Sequence, residues 1–127
     1  MKYYCDGFVL GKNGKTNCGG YTIVDEHNKL IARETFYKEK FTNNDGEIFG
    51  VYNALKLCDC LDTISTDSMV AITWTRSGFS KARPDLNSLL RECQFLLKDK
   101  CINLMWEGRD YNFAGIYNEF GATEHKQ

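Results

Sequence analysis

The sequence predicts an α/β domain in which a mixed five-stranded sheet is covered by helices. Two observations carry that expectation. Residues 2–39 read in period two, as strands broken by glycine- and asparagine-rich turns, and from Ile48 the apolar spacing lengthens to that of a helix. A short strand, two helices and another strand then follow. A strand arriving after a helix adds parallel pairing to a sheet that began as an antiparallel meander.

Each element has its own warrant. KYYCDGFVL (2–10) is aromatic and β-branched with one glycine break, a strand running into a turn, and GKNGKTN (11–17) is a hairpin loop. CGGYTIVDE (18–26) is a second strand despite its glycines, HN (27–28) a turn, and KLIARETFYKE (29–39) a third strand. Ile48, Val51, Tyr52, Leu55 and Cys58 fall at i, i+3, i+4, i+7 and i+10, the stripe of an amphipathic helix. Asn43 or Asn44 is its expected N-cap, and Asp45 and Glu47 suit the positive end of the helix dipole. DTIST (62–66) is a short strand, followed by a helix over 67–78 capped by Asp67 and closed by Gly78. Pro84, the single proline, suits the first turn of a long helix over 84–100. CINLMWE (101–107) is a strand. A loop and a last helix complete the chain, with a frayed polar tail at 122–127.

The 127 residues suit one domain, 1–127, without linker, repeat or low-complexity segment. Hydrophobic residues at 43% are enough for a core without metal or disulfide staples. Lys+Arg at 16 against Asp+Glu at 17 argue against gripping nucleic acid by bulk charge alone. No stretch approaches the roughly 18 apolar residues of a membrane span, and Met1-Lys2-Tyr3-Tyr4 opens into a strand rather than a signal peptide. A cytoplasmic monomer with reduced thiols is the expectation for Cys5, Cys18, Cys58, Cys60, Cys93 and Cys101. Cys58-Asp59-Cys60 is no metal pair, because i and i+2 point apart on a helix.

The chemistry rests on acids. Asp6 follows a strand of buried character, Glu47 lies in the first turn of the first helix, and Asp67 ends the fourth strand. Gathered at one sheet edge, such groups repel unless a hard dication joins them. Two ions about 3.5–4 Å apart would serve both the attacking and the leaving oxygen of a phosphodiester. Each residue alone has an ordinary reading. Asp6 is a turn residue before Gly7, the asparagines a helix cap, Glu47 a capping-box partner and Asp67 an N-cap. Their order and placement together are what point to a site. Trp74 and Trp106 read as core or edge aromatics, and neither His27 nor His125 is placed to act as a base.

Tyr4-Cys5-Asp6-Gly7, Thr42-Asn43-Asn44-x-x-Glu47 and Thr66-Asp67-Ser68, in this element order over essentially the whole chain, resemble type 1 ribonuclease H. The T-N-N-x-x-E segment is the specific part. The resemblance implies helices on both faces of the sheet and Mg²⁺ or Mn²⁺ held by Asp6, Glu47 and Asp67. It implies cleavage of the RNA strand of an RNA/DNA hybrid to 5′-phosphate and 3′-hydroxyl ends. It also implies Asn43 and Asn44 on 2′-hydroxyls and base edges in the minor groove, Thr42 near a DNA phosphate, and Ser68 among the residues that meet nucleic acid.

The pattern breaks in the last helix. The family usually carries a fourth carboxylate there, in a pattern like N-x-x-A-D. Asn112 matches the asparagine, but Ala114-Gly115 stands where Ala-Asp is expected, and strict counting reaches Ile116. The preceding loop has Arg109 and Asp110 where many members carry a histidine. Three readings stay open: Asp110 or Glu119 supplies the ligand, a water fills the position, or the protein binds without turnover. Glu119 lies one helical turn from Gly115. SGFSKARPD (77–85) is too short for the basic insertion of some members, which predicts weak, salt-sensitive binding. Arg76, Lys81 and Arg83 remain as a small basic group for the DNA strand. The alternatives are another nuclease of the same fold, a junction resolvase or exonuclease, and a catalytically weak hybrid-binding module.

Overall fold

Alternating side chains build an antiparallel meander of β1 (Lys2–Val9), β2 (Thr16–Asp25) and β3 (Leu30–Phe41). β4 (Thr63–Thr66) pairs with the free side of β1 in parallel, and β5 (Asn103–Trp106) extends the sheet in parallel beyond it. The five strands lie in the order β3-β2-β1-β4-β5. The helices are α1 (Asn43–Leu57), α2 (Met69–Ser77), α3 (Asn87–Asp99) and α4 (Phe113–Glu124). The computed structural model describes residues 1–124, with side chains through Phe120; residues 122–124 continue α4, and the rest of the expected tail, with His125, lies outside the described residues. Among the described residues no helix is long and apolar enough to cross a membrane.

Strand alternation sends Cys5, Tyr21 and Ile23 to one face, where they pack with Ile48, Val51 and Leu55 of α1 and Leu90 and Cys93 of α3. Each such large aliphatic side chain contributes about 1.5–3 kcal/mol on burial. Tyr4 and Val24 point the other way, onto Phe113, Ala114 and Tyr117 of α4. The sheet therefore has helices on both faces, as the resemblance implied, and all six cysteines are free thiols.

Several helix ends differ from expectation. Thr42, not Asn43 or Asn44, caps α1: its hydroxyl accepts from the Asp45 amide at 3.3 Å while the Asp45 carboxylate accepts from the Thr42 amide at 2.8 Å. This is a capping box, and Asp45 fills the role that Glu47 had as an alternative. Ser68, not Asp67, caps α2 by accepting from the Ala71 amide at 3.0 Å. Pro84 opens a separate 3-10 turn, Pro84–Leu86, ahead of α3.

Asp45 is fully buried beneath Arg83, at 2.6 Å, and Lys38, at 3.4 Å. Burial works against its charge, but the Arg83 and Thr42 hydrogen bonds outweigh burial and hold its pKa below the usual value. The expected basic group is thereby divided. Arg83 joins Lys38, Lys40, Gly14 and Thr42 around one recess, while Arg76 turns away to donate to the Leu104 carbonyl at 2.5 Å.

Candidate active site

Strand register brings the first two acids together. β1 and β4 pair Lys2 with Thr63, Tyr3 with Ile64 and Tyr4 with Ser65. Continuing the parallel register past the end of β4 sets Asp67 beside Asp6, which lies midway along β1. Glu47 arrives from α1, on the opposite face. It can do so because Gly7 and Gly46 let β1 and α1 touch. A Cβ on Gly7 would lie 2.3 Å from the Glu47 nitrogen, and one on Gly46 would lie 3.0 Å from the Gly7 Cα.

Asp6, Glu47 and Asp67 each offer an oxygen within 4.8 Å of the others. Glu47 is fixed at both oxygens. Its Oε1 accepts from the Gly7 amide at 2.9 Å and its Oε2 from the buried Thr66 hydroxyl at 3.3 Å. The Thr66 hydroxyl in turn accepts from the Ser68 amide at 3.1 Å. The Asp67 carbonyl accepts from the Trp106 indole at 3.1 Å, so this half-exposed tryptophan pins the end of β4.

The cleft of about 300 Å³ over these acids is lined by Asn43, Asn44, Ser68 and Arg109 as well. Asn43 is exposed and Asn44 half-buried, both with side chains left free of capping duty by Thr42. Asp110 is exposed in the 3-10 turn Arg109–Tyr111, and Glu119 is exposed on the rim of an adjoining recess that also contains Asp6, Arg109 and Gly115. Neither belongs to the acidic cluster. Thr42 lies with Arg83 and Lys38 at the neighbouring recess rather than over the acids.

The last helix enters the site through amides. The buried Asn112 side chain donates to the Cys5 carbonyl at 3.0 Å and accepts from the amides of Ala114, at 2.9 Å, and Gly115, at 3.1 Å. It caps α4 and ties it beside Asp6. Asn118 donates to Asp6 Oδ2 at 2.8 Å, a contact that the sequence reading missed because an isolated asparagine within a helix carries no motif.

Negative charge is crowded here. Burial, then the Asp6 charge, pushes Glu47 well above the usual carboxyl value. Burial and Asp6 also raise Asp67, against the pull of Arg109. An all-oxygen donor set under such repulsion fits a hard divalent cation. A raised folded-state value has a defined sign. Glu47 favours the fold below its unfolded value of 4.5 and loses that contribution as pH rises through the folded value. In EDTA, the melting temperature should therefore fall as pH rises across that window, and saturating Mg²⁺ should flatten the fall. Scanning calorimetry against pH measures both; a metal-free melting temperature that rises throughout that window would contradict the crowding.

The family model described as RNase H matches residues 1–107, ending before the turn and helix where the acid pattern breaks. No curated protein matches the sequence. Among solved structures, the N-terminal RNase H domain of a Mycobacterium tuberculosis protein, fused to maltose-binding protein, aligns with TM-score 0.65 at 23% identity, covering 89% of this chain and 90% of that one. RNase H1 from the halophilic archaeon Halobacterium salinarum gives 0.63 at 19%, covering 89% of each chain. LC11-RNase H1 in complex with an RNA/DNA hybrid gives 0.60 at 20%, covering 87% of each. These likenesses share the fold, and the match over residues 1–107 goes further: the chain belongs to the ribonuclease H family.

Proposed function

We propose that the protein is a divalent-metal-dependent endonuclease that hydrolyses the RNA strand of RNA/DNA hybrids. The observation that carries this reading is the acidic cluster of Asp6, Glu47 and Asp67 opening into the same cleft as Asn43 and Asn44. Asp6, Glu47 and Asp67 would hold Mg²⁺ or Mn²⁺. Such an ion supplies Lewis acidity toward the scissile phosphate and lowers the pKa of an attacking water. The reaction adds water across the P–O3′ bond and leaves 5′-phosphate and 3′-hydroxyl ends.

The chain's own groups divide the remaining work. Gly7 and Thr66 hold the Glu47 carboxylate in one orientation. Asn43 and Asn44 offer amide donors and acceptors to 2′-hydroxyls and minor-groove base edges, the features that separate RNA from DNA. Arg109, which lines the cleft, would offer its guanidinium to a phosphate of the bound strand. Thr42, with Lys38, Lys40 and Arg83 around one recess, suits phosphates of the DNA strand. Few cations are engaged, so binding should be weak, with a salt slope that is shallow because it scales with the number of phosphates neutralised.

Labelled hybrid and duplex DNA test the reading. Internal cuts in the RNA strand are expected with Mg²⁺ or Mn²⁺, none in EDTA, and none in duplex DNA. Replacing both asparagines by alanine should weaken hybrid binding by about 1–3 kcal/mol, the scale of polar partners left unpaired. Equal cleavage of DNA duplex would favour a resolvase or exonuclease, and tight hybrid binding without cleavage would favour a binding module, the reading that the missing fourth acid supports.

A further inference from the structure

Asn118 lines the recess that adjoins the acidic cleft and shares Asp6 with it. Its amide nitrogen donates to Asp6 Oδ2 at 2.8 Å, and its carbonyl oxygen accepts from the Thr22 hydroxyl. The direction of both bonds is set by chemistry. A carboxylate accepts only, so the amide must present its N–H₂ to Asp6, which leaves its oxygen for Thr22. Thr22 is fully buried and stands directly opposite Asp6 in the β1–β2 ladder. The chain of Thr22, Asn118 and Asp6 therefore begins on a rigid strand, crosses to α4, and returns to the neighbouring strand.

The same Asp6 oxygen faces Gly115. A Cβ there would sit 3.8 Å from Oδ2. Oδ2 is thus turned toward α4 and held by a neutral donor, at the place where the family's pattern would bring another acid. A carboxylate held through one oxygen keeps its orientation and offers the other to an ion. A hydrogen bond from an amide to an anionic oxygen is charge-assisted and directional.

We propose that Asn118, oriented by Thr22, is a positioning residue that sets the Asp6 carboxylate for the cation and so governs cation affinity in the cleft. The inference rests on the reading of Asp6, Glu47 and Asp67 as a metal site. Partners that orient ligating groups typically carry about 10–100-fold in metal affinity. The competing role is mechanical. Asn118 also helps dock α4, beside the Tyr4–Phe113 ring contact at 4.5 Å.

Titration calorimetry with Mn²⁺ and no nucleic acid separates the two roles. Asn118→Ala should weaken Mn²⁺ binding by about 10–100-fold. Thr22→Val, which deletes only the hydroxyl, should lose affinity in the same direction by a smaller factor. Asn118→Asp keeps the shape and Thr22's hydrogen bond but replaces the donor with an anion. Lacking the donor, it should bind Mn²⁺ less tightly than the unsubstituted protein although it adds a negative charge, and it tests the inference even where the alanine variant folds poorly. A purely mechanical role predicts lowered melting temperatures with unchanged Mn²⁺ affinity in all three variants, which would overturn the inference. Tighter binding in Asn118→Ala would overturn it as well, because the amide would then be competing with the ion. If the unsubstituted protein binds no Mn²⁺, the metal-site reading fails and this inference with it. If only the variants' affinities are unmoved, the metal site stands and the inference alone falls.

Discussion

Asp67→Asn should lower the rate of the proposed hybrid cleavage by about 10³-fold, the scale on which electrostatic groups at a reacting centre act. The substitution is nearly isosteric and touches none of the local scaffold. The Trp106 indole binds the Asp67 backbone carbonyl, and the cap of α2 belongs to Ser68. What disappears is one negative charge from a cluster whose oxygens lie within 4.8 Å of one another. Burial and the Asp6 charge raise the Asp67 pKa, so the charged group is a liability to the metal-free fold. The metal-free melting temperature should accordingly hold or rise, while the increment gained on adding Mg²⁺ shrinks. Single-turnover kinetics beside thermal melts in EDTA and in Mg²⁺ check the combination. Wild-type rates in this variant would remove Asp67 from the site. Lost activity with a collapsed melting temperature would point to folding instead.

The places where sequence reasoning missed bear on function. It set the caps of α1 and α2 on Asn43 or Asn44 and on Asp67. The fold gives those duties to Thr42, whose box closes with Asp45, and to Ser68. Propensity alone cannot separate adjacent Thr, Asn, Asp and Ser at a helix start, since all are favoured. Here the distinction matters, because the residues released from capping are the ones that line the cleft. Strand and helix order was legible because the three long strands of the meander and the apolar spacing of α1 and α3 stand out, and the four-residue β4 and β5 fall between helix signals. Long-range side-chain placement was not legible. Nothing in the spacing of Arg76, Lys81 and Arg83 announces that Arg83 turns to the buried Asp45 while Arg76 reaches the Leu104 carbonyl. Nor does spacing reveal that Asn118 faces Asp6, since that contact depends on how α4 lies across the sheet.

Gly115→Asp should lower the metal concentration for half-maximal cleavage by about tenfold, because affinity for hard cations follows the number of charged ligands. There is room for the change. A Cβ at Gly115 would meet Asn112 Cβ, Asp6 Cγ and Asp6 Oδ2 each at 3.8 Å, ordinary van der Waals contact, and the new carboxylate would start beside Asp6. Gly115 is the third residue of α4, so an acid there also suits the positive end of the dipole and replaces a poor helix former. Against this stands repulsion from Asp6, which should lower the melting temperature in EDTA and disappear when Mg²⁺ is added. The unsubstituted protein, one charge short, should need millimolar metal and work better with Mn²⁺ than with Mg²⁺, since Mg²⁺ dehydrates reluctantly. Gly115→Asp should narrow that preference. Glu119→Gln is the paired measurement. Glu119 is exposed and outside the cluster, so its loss should leave the metal dependence nearly unchanged. If Glu119→Gln alone abolishes cleavage and Gly115→Asp restores it, Glu119 is a ligand that swings in when metal and hybrid bind. If neither change moves the metal dependence, α4 presents no ligand position to the ion.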